Sequence, residues 1–171
     1  MKRRVVLISA IVLIGIVSGI ALSQILSNSA SFQIDVVGHA ALNVDVKAQP
    51  NEPLYQGAWY TDSIELNVTN LDTNQGYNFY LVVTIQHGGL VPSDMSMNIK
   101  QSTDEVTYTS AQTINFVQEA SNLINATYKM AGKIPIDAYG GAADSYFFLI
   151  SFMITDGAPQ GPYTFTFEAY V

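Results

Sequence analysis

The segment Leu26-Ser27-Asn28-Ser29-Ala30-Ser31-Phe32-Gln33-Ile34-Asp35-Val36 puts Leu26, Ala30, Phe32, Ile34 and Val36 on even positions and polar residues between most of them. Side chains of an extended strand alternate between faces, so this pattern predicts a β-strand with one apolar face. Everything before it reads differently. Met1-Lys2-Arg3-Arg4 is a positive block, and Val5 to Leu22 is an uncharged apolar run. That is the layout of an export segment, with the basic block held on the cytoplasmic side and the chain after it outside. Three fates fit the segment: a signal peptide over residues 1–23 cut between Ser23 and Gln24, a retained membrane anchor, or a pilin-type helix left after a cut near Arg4. Contact with a membrane is expected only through this segment.

Beyond Val36 the alternation repeats. It runs through Leu42, Val44, Val46 and Ala48, closes at Pro50 and Pro53, and returns at Ile64-Leu66-Val68, Phe79-Leu81-Val83-Ile85, Met95-Met97-Ile99, Tyr146 to Ile154, and Tyr163 to Val171. Turn chemistry separates the runs, at Asp72-Thr73-Asn74-Gln75-Gly76, His87-Gly88-Gly89, Tyr139-Gly140-Gly141 and Asp156-Gly157. Many short strands joined by turns predict an all-β domain, a jelly-roll or Ig-like antiparallel β-sandwich over residues 38–171. One stretch departs from the pattern. Between Thr113 and Lys129, Ile114, Val117, Ala120, Ile124 and Tyr128 recur at helical spacing and Gly132 follows, which predicts one short surface helix.

Composition narrows the function. A net charge of -7 and 12% charged residues give no basic patch for nucleic acid. With no cysteine there is no thiol nucleophile, thiolate metal site or disulfide framework. His39 and His87 stand alone, without the i, i+4 partner and glutamate of a zinc-protease helix. The Asp72 loop opens like a calcium loop, but its glycine arrives one place early and Val83 stands where the closing acid belongs. Asp104-Glu105 are adjacent and would point to opposite faces of a strand, so they do not read as a catalytic pair. The expectation is therefore a protein that is not an enzyme and holds no cofactor or metal. Asn67-Val68-Thr69 and Asn125-Ala126-Thr127 are sequons, open to N-glycosylation in an exported chain.

The first strand admits two readings. It can be the opening strand of its own sandwich. Alternatively the segment 24–37 can fill a missing-strand groove in the next subunit, with Leu26, Ala30, Phe32, Ile34 and Val36 entering successive pockets. Such a contact is head-to-tail and does not close, so it generates a fibre.

The order of export segment, short β segment, Gly38-His39-Ala40-Ala41-Leu42-Asn43-Val44-Asp45-Val46-Lys47-Ala48, Ile64-Glu65-Leu66-Asn67-Val68-Thr69-Asn70-Leu71 and terminal Tyr163-Thr164-Phe165-Thr166-Phe167-Glu168-Ala169 resembles the TasA/camelysin family of fibre-forming secreted proteins, and among them the archaeal bundling pilins. The resemblance covers the ends and the first third of the mature chain, and the middle poorly. It implies a jelly-roll-like sandwich whose identical subunits join by donor-strand complementation into bundling pili or biofilm matrix fibres at the cell surface. The metallopeptidase label of camelysin-type members has no metal-binding helix to rest on here. Two other readings stand beside it: a type IV pilin with a permanent N-terminal helix, and a monomeric surface binding or surface-layer module using Trp59, Tyr55 and Tyr60. The residue types at 55–60 otherwise read as packing.

Overall fold

The computed structural model describes residues 29–171 apart from 31, 40, 52, 130 and 131. The candidate leader, with Ser23, Gln24 and Leu26, lies outside the described residues, and so does the apolar run that would cross a membrane. No helix among the described residues is long and apolar enough to span one.

Strands follow one another from β1 (Ser29–Ala30), β2 (Phe32–Gly38), β3 (Leu42–Ala48), β4 (Leu54–Tyr55) and β5 (Trp59–Asn70) to β6 (Tyr77–Gln86) and β7 (Met95–Ser102). They continue as β8 (Gln112–Ile114), β9 (Val117–Ala120), β10 (Leu123–Tyr128), β11 (Ile134–Ile136), β12 (Ser145–Ile154) and β13 (Tyr163–Tyr170), with one 3-10 turn at Pro92–Asp94. Two sheets form the sandwich. One runs β2-β13-β6-β10-β9 with β11 also pairing with β6, the other runs β3-β5-β12-β7-β8, and β1 pairs with β4 apart from both. The fold is therefore an all-β, two-sheet sandwich.

Alternation explains the core. Tyr163, Phe165, Phe167 and Ala169 of β13 and Phe79, Leu81, Val83 and Ile85 of β6 face inward with no exposed surface. Ile64, Leu66 and Val68 of β5, and Phe148, Ile150 and Phe152 of β12, meet them from the other sheet. Each such side chain contributes about 1.5–3 kcal/mol by leaving water, which lets a chain without disulfides hold together by packing.

The helix expected between Thr113 and Lys129 is absent; β8, β9 and β10 occupy that stretch. Ile114, Ile124, Ala126 and Tyr128 are buried, whereas Val117 is 59% exposed. The inward residues of β8 and β10 share one parity and β9 between them is exposed throughout, so Val117 and Ala120, apolar but outward, complete a spacing that imitates a helical period.

A second departure concerns direction. Every described strand pair is antiparallel except β2 with β13, which run parallel from Tyr163 opposite Phe32 to Ala169 opposite Gly38. A hairpin cannot make a parallel pair, so β2 enters beside β13 with the whole domain as the connection.

The turn-forming polar groups are spent locally. Buried Asn70 donates from Nδ2 to the carbonyls of Gln75 and Asp137, each at 2.8 Å, and accepts the Asp72 N–H. In the Asp72 loop one carboxylate oxygen accepts the Asn74 N–H at 2.8 Å and the other accepts the Tyr77 hydroxyl at 2.8 Å. Those bonds hold the Asp72 carboxyl below its ordinary pKa, the Asn74 N–H being the larger cause. This is an Asx turn. No group of three or more His, Asp or Glu side chains among the described residues is placed to hold a metal.

Two buried phenols set an alkaline limit. Burial pushes the hydroxyl of Tyr128, which donates to Gln101 Oε1, up to about 12, and burial followed by the Asp94 charge does the same to Tyr163. The folded values stand above the unfolded value of 10.0, so the unfolded chain releases these protons first as pH rises. Their contribution is complete below the unfolded value and drains away between it and the folded one. The melting temperature is thus expected to hold through neutral pH and to fall across that alkaline interval, as scanning calorimetry at stepped pH would measure; a flat profile there would contradict the assignment.

Candidate functional site

β2 and the edge of β13 are where the sequence pointed. Phe32, Ile34 and Val36 are half-buried against the core, while Gln33, Asp35 and Val37 face solvent. This follows from period-2 geometry at an edge strand, one face meeting the sheet opposite and the other meeting water.

Phe32 is the anchor. Its ring stacks on Phe152 of the opposite sheet at 5.5 Å between centroids and lies 4.6 Å from Phe165 of the neighbouring strand. Tyr60 stacks on the same Phe152 at 5.3 Å. Four aromatic rings therefore close one end of the sandwich, and one of them belongs to β2. Ser29 and Ala30, just upstream, pair with Tyr55 and Leu54. In the single chain, then, the described part of the expected donor segment covers its own domain.

The connection from β2 to β3 is short. A Cβ on Gly38 would sit 1.8 Å from the Leu42 carbonyl oxygen, so only glycine permits the backbone to fold this closely. His39 N–H donates to the Ala169 carbonyl at 3.0 Å, and Leu42 N–H donates to the His39 carbonyl at 3.2 Å. The His39 ring stacks on Tyr170 at 3.9 Å, with Nε2 3.7 Å from a Glu168 carboxylate oxygen. These contacts fasten the hinge to the end of β13.

The remaining candidates lie far from one another in role. His87 stacks on Tyr163 at 4.3 Å, and its ring nitrogens lie against the carbonyls of Gly88 and Gln160, a loop clasp. Asp104 is exposed and caps its own loop: the Thr107 N–H, the Ser102 hydroxyl and the Val106 N–H hold its carboxyl well below the usual carboxylate range. Asn67 stands mid-sheet between Asp45 and Phe147, and Asn125 stands on the outer face of the other sheet opposite Thr84.

Trp59 departs from expectation. Tyr60 packs inward, and its hydroxyl accepts the Tyr55 N–H. Trp59 and Tyr55, however, are 48% and 47% exposed, so this cluster is only in part a packing cluster. The reason is position: Trp59 begins β5 and pairs with outward-facing Met153, beyond a register slip in β12 at Ile150/Phe152. Asp62, at φ +46°, anchors that slip by donating its N–H to Ser151 Oγ at 2.8 Å, and its carboxylate accepts from Lys100 at 2.7 Å. Bulges of this kind re-aim side chains at sheet ends.

No protein-family model matches the chain, and no curated protein sequence does. Several solved structures are similar to it at low identity. AvmM, which catalyses macrocyclization in alchivemycin A biosynthesis, is 14% identical over 70% of this chain and 68% of that one, with a TM-score of 0.46. CpGH89CBM32-5 from Clostridium perfringens, solved in complex with GalNAc-beta-1,3-galactose, is 7% identical over 77% and 96% of the two chains, with a TM-score of 0.37. The collagen binding subdomain of the Enterococcus faecalis surface protein ACE is 9% identical over 69% and 75%, with a TM-score of 0.25. At these values the likeness says nothing about function.

Proposed function

We propose that the chain is a non-enzymatic, exported subunit of an extracellular filament, whose identical copies join when β2 of one fills the place beside β13 of the next. The observation that supports this is the character of β2. It is an edge strand, it packs Phe32, Ile34 and Val36 half-buried against the core, and it joins β3 through a turn of a few residues. A strand held this way can be exchanged between copies without disturbing the other strands, because every other ladder is made within residues 42–170 apart from the short β1–β4 pair. In the closed chain the groove is filled in cis; in the filament the same pockets would be filled in trans, with Ala30 and Leu26 extending the contact.

The same reading takes the sandwich as jelly-roll-like, the leader as cut at Ser23–Gln24, the location as the cell surface, and Asn67 and Asn125 as glycan acceptors. Lateral bundling of fibres belongs to it as well. Electron microscopy of the purified native material, combined with N-terminal sequencing of the same sample, is the test. Fibres whose subunits begin near Gln24 support strand exchange. Fibres beginning near Val5 would mean a type IV pilin, and discrete particles at every concentration would reject polymerisation.

A further inference from the structure

Strand β8 pairs with β7 only over Met97, Asn98 and Ile99. Met95 and Ser96 therefore have no strand on that side, and the chain leaves through Asn115 and Phe116 toward the other sheet. A cavity of about 490 Å³ at this end of the sheet is lined by Met95 and Ser96 together with Trp59 of β5. No residue of β2 lines it.

Its lining has a definite chemistry. Trp59 is half-exposed and its ring stacks on no other aromatic ring among the described residues. Met95 and Ile114, both nearly buried, give the floor an apolar character. Around it stand uncharged polar groups. Thr113 donates its hydroxyl to Asn98 Oδ1 at 3.0 Å, which fixes the amide so that its Nδ2 hydrogens point away from that bond and are left to donate elsewhere. The side chains of Ser93, Ser96 and Asn115 also line the cavity and make no hydrogen bond within the described residues. No Asp, Glu, Lys, Arg or His side chain lines the site.

We infer that this cavity is a binding site for a neutral saccharide. A pyranose ring has one face of C–H groups and a rim of hydroxyls. The uncovered indole suits the first, since aromatic faces take apolar surface with directional preference. Unpaired amides and hydroxyls suit the second, supplying both donors and acceptors at the margin of an otherwise apolar floor. A charged ligand would enter without a counter-ion in a chain of net charge -7, and an anionic one would be repelled. A purely apolar ligand would leave the amides unpaired on desolvation, which is costly. The inference stands apart from strand exchange, because the cavity and β2 share no residue.

Trp59 is the only tryptophan, so its emission reports on this site alone. The purified protein is titrated with maltotriose, cellotriose and chitotriose, with trigalacturonate as the charged control. The expected result is a saturable change in Trp59 emission with at least one neutral trisaccharide and none with trigalacturonate. Calorimetry on Trp59→Ala should then show affinity lower by about tenfold or more. Asn115→Ala, which keeps the indole and breaks no bond of the fold, should weaken the fluorescence titration severalfold. Phe32→Asp should leave binding unchanged whatever it does to fibres. The inference is overturned by no response to any neutral trisaccharide up to about 10 mM, the range in which a shallow single-ring site would bind. An equal response to trigalacturonate, or unaltered affinity in Trp59→Ala, overturns it too.

Discussion

Fibres are expected to vanish when Phe32 and Ile34 are both replaced by aspartate, leaving a soluble, folded domain of lower stability. Full burial of each side chain would contribute about 1.5–3 kcal/mol and both are half-buried, so removing the pair forfeits roughly 2–3 kcal/mol at every contact between subunits. That alone weakens association by about one to two orders of magnitude. Aspartate does more than remove. At position 32 a carboxylate would face Phe152 and Phe165 with no partner, which adds a desolvation penalty. The domain should survive because β2 is an edge strand, and the ladders of β13 with β6 and of β12 with β5 and β7 do not pass through it. Negative-stain microscopy reads the fibres, and far-ultraviolet circular dichroism with a thermal melt reads the fold. Normal fibres from this variant would refute the exchange model.

Gly38→Val should act in the opposite sense on assembly. The closed turn places the Leu42 carbonyl oxygen 1.8 Å from where a Cβ would stand, and that neighbour is backbone, so the turn itself must shift. Such overpacking costs about 1–3 kcal/mol or more. For a domain of this size the melting temperature of the monomer should drop by roughly 5–10 °C. If β2 is exchanged between copies, the hinge opens and the clash is relieved. The variant should then show a larger polymer fraction than the native protein by sedimentation at equal concentration. An unchanged melt would disprove the tight turn; a lower melt with less polymer would show that the turn persists in the assembled state, against exchange.

Some of this was legible in the residues alone. Tyr163, Phe165, Phe167 and Ala169 alternate with polar partners over a full strand, and their burial follows from that alternation. The same holds for Phe79 to Ile85 in β6. Phe32, Ile34 and Val36 form one apolar face by alternation, and they do point together at the core. Direction was not legible, since alternation is the same read in either sense and cannot distinguish a parallel from an antiparallel neighbour. Nor was the stretch from Ile114 to Tyr128, where β9 is exposed on both faces and its apolar Val117 and Ala120 face water between the inward residues of β8 and β10. Trp59 was hidden for another reason. Beside Tyr60, an aromatic at a strand start reads as packing, and only the register slip across from Ser151 decides which of the two rings turns outward.

The parallel course of β2 and β13 has a mechanical consequence. The N-terminal end of β2 lies level with Tyr163, while the C-terminal end of β13 lies at the opposite end of the sandwich. Tension applied between the segment before Phe32 and the chain's C-terminal end therefore pulls along both strands in opposite senses. All seven registered pairs resist together in shear, whereas an antiparallel pair pulled from one end would part like a zip, one bond at a time. Rupture under load is governed by the unfolding rate rather than by equilibrium stability. A strand of modest thermodynamic worth can thus be a strong tether when drawn lengthwise, and a weak one when peeled sideways.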